Sequence, residues 1–325
     1  MKQKIKVGIV GYGNLGKGAE LAIGQSSDME LVAIFSRRKL TQSASNVPCV
    51  PLENIEEYIG KIDVMILCGG SATDLVEQGP MIAEKFNTVD SFDNHSKIPE
   101  YFSVMDKVAK GSGKSAIISV GWDPGLFSLN RLLGNIVLPN GKDTTFWGKG
   151  ISQGHSDALR RIDGVKNAKQ YTIPRQEYMD AVRNGETVTK PGNELHIREC
   201  FVVPHDGADL MKIETDIRTM PGYFVGYETI VHFISEQELE EKHGGIPHGG
   251  FVFRSGETKT GTKHVMEFAL KLDSNPEFTS SVLVAYARAL YRLSEHGASG
   301  AFTVFDIPFA WLSPQDPMEL RRLML

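Results

Sequence analysis

The sequence predicts an α/β protein, a doubly wound parallel sheet joined to a second α+β domain with a largely antiparallel sheet. Three observations point there. The first third of the chain alternates short apolar runs with helix-period segments, the pattern of a parallel sheet covered on both faces. From about residue 144 the runs lengthen and partly alternate: Val225, Tyr227, Thr229, Val231 and Phe233 are interleaved with Gly226, Glu228, Ile230 and His232, as in a sheet with one covered face. At 325 residues the chain also exceeds the usual size of one hydrophobic core. Domains are expected at 1–121, completed by 276–325, and at 122–275.

The first element is a buried strand over residues 4–10 that runs into Gly11-Tyr12-Gly13-Asn14-Leu15-Gly16. Residues 15–23 then carry the Ala, Leu and Ile spacing of a helix packed on a sheet. Gly11 permits the tight turn, Gly13 lets backbone approach a pyrophosphate, and Gly16 lets helix and strand pack closely. The helix N-terminus faces the phosphate charge. This is the Rossmann-type arrangement for a dinucleotide. The second strand, 29–35, decides which one. An NAD site usually ends this strand with a carboxylate for the ribose 2′-hydroxyl; here Ser36 stands there, followed by Arg37 and Arg38. A carboxylate would repel a 2′-phosphate, whereas a hydroxyl and guanidinium donors bind it, so the cofactor is read as NADP(H).

A third apolar run, 64–68, ends at Cys68-Gly69-Gly70-Ser71-Ala72, and 75–86 reads as a helix. A short strand over 87–90 closes in Ser91-Phe92-Asp93-Asn94-His95. After a helix at 99–110, a strand over 116–120 closes in Gly121-Trp122-Asp123-Pro124-Gly125. In such sheets ligands lie outside the carboxyl ends of the strands, so these ends, with Val120, are expected to line the cofactor. Longer strands are expected at 170–173, 195–203, 223–234, 251–255 and 264–272, with a helix and an Asn184-Gly185 turn within 166–192. The last helix has Asn275 as N-cap, Pro276 at its first position, apolar residues from 278 to 293 and Gly297 as its stop. It is expected to pack back on the nucleotide domain.

Composition narrows the class. Hydrophobic content of 41% with 23% charged residues describes an ordinary globular protein, and a net charge of -5 without a basic stripe disfavours nucleic acid. The three cysteines, Cys49, Cys68 and Cys200, are odd in number and scattered, which fits a reducing compartment and gives no metal-ligand spacing. The basic start, Met1-Lys2-Gln3-Lys4, leads into an apolar run that breaks at Gly11, too short for a secretory signal. No later stretch spans a bilayer. A cytoplasmic location and no membrane partner are expected.

A nicotinamide cofactor moves hydride, so the substrate carbon bears an alcohol, an amine, an aldehyde or a reducible double bond. Asp93 and Asp123 close two strands at the nucleotide crevice. Carboxylates there repel a substrate carboxylate but attract an ammonium and can take its proton, which favours an amine. Both also sit in turn contexts where Asp bonds its own backbone. Trp147 is either interior packing or an apolar wall. Residues 151–157 form a loop dense in hydrogen-bonding groups that enters a helix at Ala158-Leu159-Arg160-Arg161. Within it His155 is a candidate acid or base. Arg198 lies inside a strand pattern, where a buried guanidinium needs a partner that a substrate carboxylate would supply. Pro247 and two glycines fix the direction of His248.

With these residues assembled, the chain resembles the meso-diaminopimelate dehydrogenase family along its whole length. The likeness rests on Gly-Tyr-Gly-Asn-Leu-Gly, Phe35-Ser36-Arg37-Arg38, Ser71-Ala72-Thr73-Asp74, Asp93-Asn94-His95 and Gly121-Trp122-Asp123-Pro124-Gly125. It continues through Phe146-Trp147-Gly148, the run from Ser152 to Arg161, Asp216-Ile217-Arg218-Thr219-Met220-Pro221, Pro247-His248-Gly249-Gly250 and Ser299-Gly300-Ala301-Phe302. The resemblance implies NADP-dependent, reversible oxidative deamination at the D-centre of meso-2,6-diaminopimelate and a homodimer. It implies that Asp93, Asp123, Trp147, Gln153 and Gly154 surround the reacting centre, and that Thr172, Arg198, His248 and Asn275 hold the L-configured end. The rivals are a non-catalytic NADPH-binding regulator and another NADP-linked oxidoreductase of the same architecture. A sugar oxidoreductase would show Glu-Lys-Pro, but Glu84-Lys85 is followed by Phe86. The His-His helix motif of a dihydrodipicolinate reductase is absent.

Overall fold

The computed structural model describes residues 4–39 and 42–325; residues 1–3 of the basic start lie outside them. Six strands come first: β1 (Ile5–Val10), β2 (Met29–Ser36), β3 (Cys49–Pro51), β4 (Val64–Leu67), β5 (Asn87–Asp90) and β6 (Ser115–Ile117). Then follow β7 (Gly141–Trp147), β8 (Gly150–Ile151), β9 (Val165–Pro174) and β10 (His196–Pro204). The remaining strands are β11 (Glu228–Phe233), β12 (His248–Lys259), β13 (Thr262–Leu272) and β14 (Gly300–Phe302). The chain divides into two compact units, Met1–Leu129 with Pro276–Leu325, and Asn130–Asn275. The division falls inside the helix Leu126–Val137 rather than at residue 121, because Leu126 and Leu129 of its first turns pack on the first unit's core.

The first unit is a seven-stranded sheet in the order β14-β6-β5-β4-β1-β2-β3, parallel at every pairing. Successive residues of its central strands point to opposite faces, and both faces are buried. Val7, Ile9, Val64 and Ile66 join one apolar cluster; Val10, Phe35, Met65 and Leu67 join the other. Each such side chain contributes about 1.5–3 kcal/mol by leaving water. β6 stops at Ile117, short of the expected strand end at residue 120, because Ser119 turns into the left-handed region at φ 58°.

The C-terminal segment completes this unit. The helix Asn275–Glu295 lays Leu283, Tyr286, Ala287 and Leu290 on the cluster that holds Val7 and Ile9. Gly18 makes the approach possible, since a Cβ there would lie 2.7 Å from Ser280 Oγ; the same hydroxyl donates to Leu15 O at 2.7 Å. Arg288 donates twice to Asp28, at 2.6 and 2.9 Å. Burial pushes the Asp28 carboxyl up, but the guanidinium outweighs it and holds the group below the usual aspartate range. β14 then adds to the sheet edge beside β6. The helix opens at Asn275, the expected cap, one residue ahead of the expected first position at Pro276, a shift within the usual fraying of helix ends.

The second unit holds two sheets rather than one. β11-β10-β9-β8 is antiparallel except for β10 with β11, and β13-β12-β7 is antiparallel throughout. Residues 223–227 are turns, not the start of a strand: Phe224 leaves the expected alternation to bury itself completely with Ile213 and Ile217, and β11 begins at Glu228. Asn184-Gly185 is a turn after the helix Gln176–Arg183. Among the described residues no helix is long and apolar enough to cross a membrane, and no group of three or more His, Cys, Asp or Glu residues is placed to hold a metal ion.

Candidate active site

The carboxyl ends of β1, β2, β4, β5 and β6 share one edge of the parallel sheet, and each carries a loop singled out by the sequence. Gly11 has φ 91°, and a Cβ on Gly16 would lie 2.1 Å from Gly11 O, so neither position admits a side chain without moving the turn. Gly13 caps the helix Asn14–Gly24 with no side-chain partner for its first N–H groups, and the space where a Gly13 Cβ would stand is open. Asn14 is exposed and Leu15 half-buried. This is a cradle for an anion at a helix N-terminus. Tyr12 donates to the buried Glu20, which also accepts from Ser45 N at 2.7 Å, so the glycine turn is tied to the segment after β2. Burial raises the Glu20 carboxyl, but the Ser45 and Tyr12 donors outweigh it and hold it below the usual range.

At the end of β2, Ser36 Oγ accepts Arg38 N at 3.0 Å, and Arg37 and Arg38 are exposed beside a cleft of about 760 Å³. Arg37 pairs with Asp74, whose other oxygen accepts Gly70 N at 3.2 Å, so the acidic end of the Ser71-Ala72-Thr73-Asp74 motif presents the guanidinium. An exposed pair of this kind is worth roughly 0–1 kcal/mol. A doubly charged phosphate forms stronger charge-assisted bonds and displaces it readily. The donor set therefore fits an NADP ribose phosphate.

After β4, Cys68 and Gly69 are half-buried, Gly70 and Ala72 exposed, and Ser71 Oγ accepts Asp93 N at 3.0 Å. After β5, Ser91 is half-buried, Phe92 buried and Asp93 exposed. The wholly buried Asp90 just before them accepts Phe92 N at 2.9 Å, Ser119 N at 3.1 Å and Tyr101 O–H at 2.9 Å. Burial pushes its carboxyl up to about 6 against the pull of those donors. After β6, Val120, Gly121 and Trp122 are buried, and Asp123 and Pro124 lie half-buried on a tight turn. A Cβ on Gly125 would strike Gly121 O at 1.8 Å, and Trp122 packs edge-on to Phe127 at 5.2 Å. Asp123 thus stands on a turn that packing holds rigid.

In the second unit the expected substrate residues converge on the short strand β8. Trp147 ends β7 and is 38% exposed, a wall rather than core. Its backbone N–H donates to His196 Nε2 at 2.9 Å while His196 Nδ1 bonds Gly192 O at 2.8 Å, and burial lowers the His196 pKa, so the neutral ring is held in one tautomer. Gly148 has φ 104°, and a Cβ there would meet Thr172 O at 2.0 Å. A Cβ on Gly150 would meet His248 Cα at 2.4 Å, so glycine at 150 is what lets His248 lie alongside. Arg198 faces Thr172 across β9 and β10 and donates to its hydroxyl. Arg198 is 9% exposed, Tyr227 covers it at 4.2 Å, and its Nε has no partner. A buried cation with a spare donor asks for an anion. The Asn275 N–H donates to Ile246 O at 3.0 Å, which fixes Asn275 near the start of β12.

Residues 153–157 are not the loop expected from the sequence: the helix Gln153–Arg160 begins five residues earlier than expected because Ser152 caps it, accepting His155 N at 3.4 Å. Gln153 and Gly154 are therefore exposed first-turn residues, and nothing lies within 4 Å of a Gly154 Cβ. His155 packs edge-on to Tyr223 and Phe224 and bonds Ser152 Oγ at 2.6 Å. Burial, then the Arg198 charge, push it down to about 4, so it is a neutral packed ring at physiological pH.

Comparison with known proteins fits this constellation. Residues 121–274 match the diaminopimelic acid dehydrogenase C-terminal domain. Meso-diaminopimelate D-dehydrogenase of Ureibacillus thermosphaericus is 62% identical over 324 residues, covering 99% of each chain. The chain belongs to the meso-diaminopimelate dehydrogenase family. Two solved structures share its fold. The C. glutamicum DAP dehydrogenase in complex with DAP is 46% identical with TM-score 0.93, covering 99% of this chain and all of that one. An engineered D-amino acid dehydrogenase bound to NADP+ is 45% identical with TM-score 0.88 at the same coverage.

The roles of four residues are not visible in the sequence: Asp74 behind Arg37, His196 behind Trp147, Tyr227 over Arg198 and Asp90 between two turns. Asp74 stands there only within the motif Ser71-Ala72-Thr73-Asp74, and Tyr227 only as an aromatic in register with a strand pattern. His196 and Asp90 reach their partners through tertiary contacts alone.

Proposed function

We infer that this protein catalyses the NADP-dependent, reversible oxidative deamination of the D-centre of meso-2,6-diaminopimelate, giving L-2-amino-6-oxopimelate, ammonia and NADPH. The observation that carries this reading is the buried pair Arg198 and Thr172, with a free guanidinium donor, in a chain whose other unit presents Asp93 and Asp123 beside a phosphate cradle. A substrate with two ammonium and two carboxylate groups needs both kinds of partner. Gly11, Gly13, Asn14, Leu15, Gly16, Ser36, Arg37 and Arg38 hold the phosphates. When bound, NADP+ accepts the hydride that leaves the D-carbon. Asp93 or Asp123 first takes a proton from the ammonium, directly or through water, so that the nitrogen lone pair can form the imine. Water then adds to the imine carbon and ammonia leaves. Trp147, Gln153 and Gly154 attend this end of the substrate, and Thr172, Arg198, His248 and Asn275 hold the other. A mixture of enzyme, NADP+ and meso-diaminopimelate should gain absorbance at the nicotinamide band. Tight NADPH binding without turnover would instead favour the regulator.

Changing Arg37 and Arg38 together to Ala should raise KM for NADP far more than for NAD. With two charge-assisted bonds at about 1.5–3 kcal/mol each, the preference should fall by roughly two orders of magnitude or more. Equal effects on both cofactors would exclude the 2′-phosphate role.

A homodimer working in the cytoplasm completes the reading. The helix Leu126–Val137 leaves Leu132, Leu133, Ile136 and Val137 40–67% exposed, an apolar face suited to a second copy, and the three cysteines are free thiols. Light scattering that returns the mass of one chain would overturn the dimer, and fractionation that places the enzyme outside the cytoplasm would overturn the location.

A further inference from the structure

We propose that Asp90 is a positioning residue for the reaction, fixing the turn that carries Asp93 against the turn that leads to Asp123. The inference rests on the function proposed above. The ladder between β5 and β6 is short, pairing only Thr88 with Ala116 and Val89 with Ile117. Beyond it both chains leave strand geometry, Ser119 entering the left-handed region. The two diverging turns would then lose their alignment. Asp90 supplies what the ladder lacks. Its Oδ1 accepts Phe92 N at 2.9 Å on its own turn and Ser119 N at 3.1 Å on the neighbouring one, while its backbone carbonyl accepts Val120 N at 2.8 Å. One buried carboxylate therefore clasps both turns within three or four residues of the aspartates. Tyr101 holds the clasp from the helix Ile98–Ser112, donating to Oδ2 at 2.9 Å with its ring stacked on Phe92 at 4.2 Å. The carboxylate is wholly buried and makes no contact with solvent, so it shapes the site without touching substrate.

The test is a set of variants read for kcat and KM with meso-diaminopimelate, and for NADP affinity by fluorescence titration. Asp90→Ala should lower kcat at least tenfold while the NADP dissociation constant stays within about twofold. Asp90→Asn, which keeps an oxygen acceptor for the two N–H groups, should restore most of the loss. Should Asp90→Ala not fold, Tyr101→Phe decides, since it removes only the donor to Oδ2. It should lower kcat about three- to tenfold at unchanged NADP affinity. Wild-type kcat in folded Asp90→Ala or in Tyr101→Phe would overturn the proposal, as would parallel loss of kcat and NADP affinity without rescue by Asn. Wild-type enzyme assayed alongside separates the two readings: no turnover there sinks the function and this role together, whereas turnover unaffected by the variants sinks this role alone.

Discussion

Exchange of Asp93 or Asp123 for Asn should cost the enzyme about 10²–10⁴ in kcat in one of the two variants, the size of a general-base contribution. Asn is nearly isosteric and preserves the turns, because Ser71 Oγ and Asp90 hold the Asp93 segment through its backbone and Gly121 and Gly125 shape the other. What it removes is the proton acceptor and the negative charge facing the ammonium. The variant that loses the base should show the fall in kcat across the pH range. The other should show its effect mainly in KM for the amino acid, because it removes attraction alone. Retention of kcat within a few-fold in both would end the assignment.

The second large effect belongs to Arg198. Truncation to Met should lower kcat/KM for diaminopimelate about 30-fold or more, from the roughly 2–5 kcal/mol lost when one partner of a buried charge pair is removed. The loss should appear chiefly in KM, since the far carboxylate is bound alike in ground and transition states. Folding stability should not fall with it. The guanidinium is nearly buried with an unsatisfied Nε, and replacing such a group by an apolar side chain of similar size is often neutral or stabilising. Thermal unfolding of Arg198→Met at or above the wild-type midpoint, together with a raised KM, would separate a binding role from a structural one. A lower midpoint with unchanged KM would reverse that assignment.

The features legible in the sequence were those whose physics is local. Gly11 and Gly16 announce themselves because the turn geometry excludes any other residue within a few positions. Ser36, Arg37 and Arg38 follow from charge at one strand end. The doubly covered sheet follows from uninterrupted apolar runs such as residues 64–67. Where a distant partner decided the outcome, local pattern failed. Phe224 broke an otherwise plausible alternation because a pocket beside Ile213 and Ile217 offered more burial than the sheet. Ser152 outweighed the polar look of residues 153–157 by capping them into a helix. A single antiparallel sheet was expected where β12 instead pairs with β7 and β13 apart from β9 and β10, a choice among pairings that alternation does not encode. Asp90 and His196 look like any strand-end or strand residue until the chain segments they bridge are known.

The return of Pro276–Leu325 to the first unit bears on how the chain is made. A ribosome emits β1 and β4 long before the helix Asn275–Glu295 and β14 that cover and extend their sheet. Until residues 276–325 have been made, Val7, Ile9, Val64 and Ile66 keep an unshielded flank, and the coenzyme half matures last although it is born first. Nascent polypeptides stalled before residue 276 should accordingly be the species most prone to stick to one another or to be captured by chaperones.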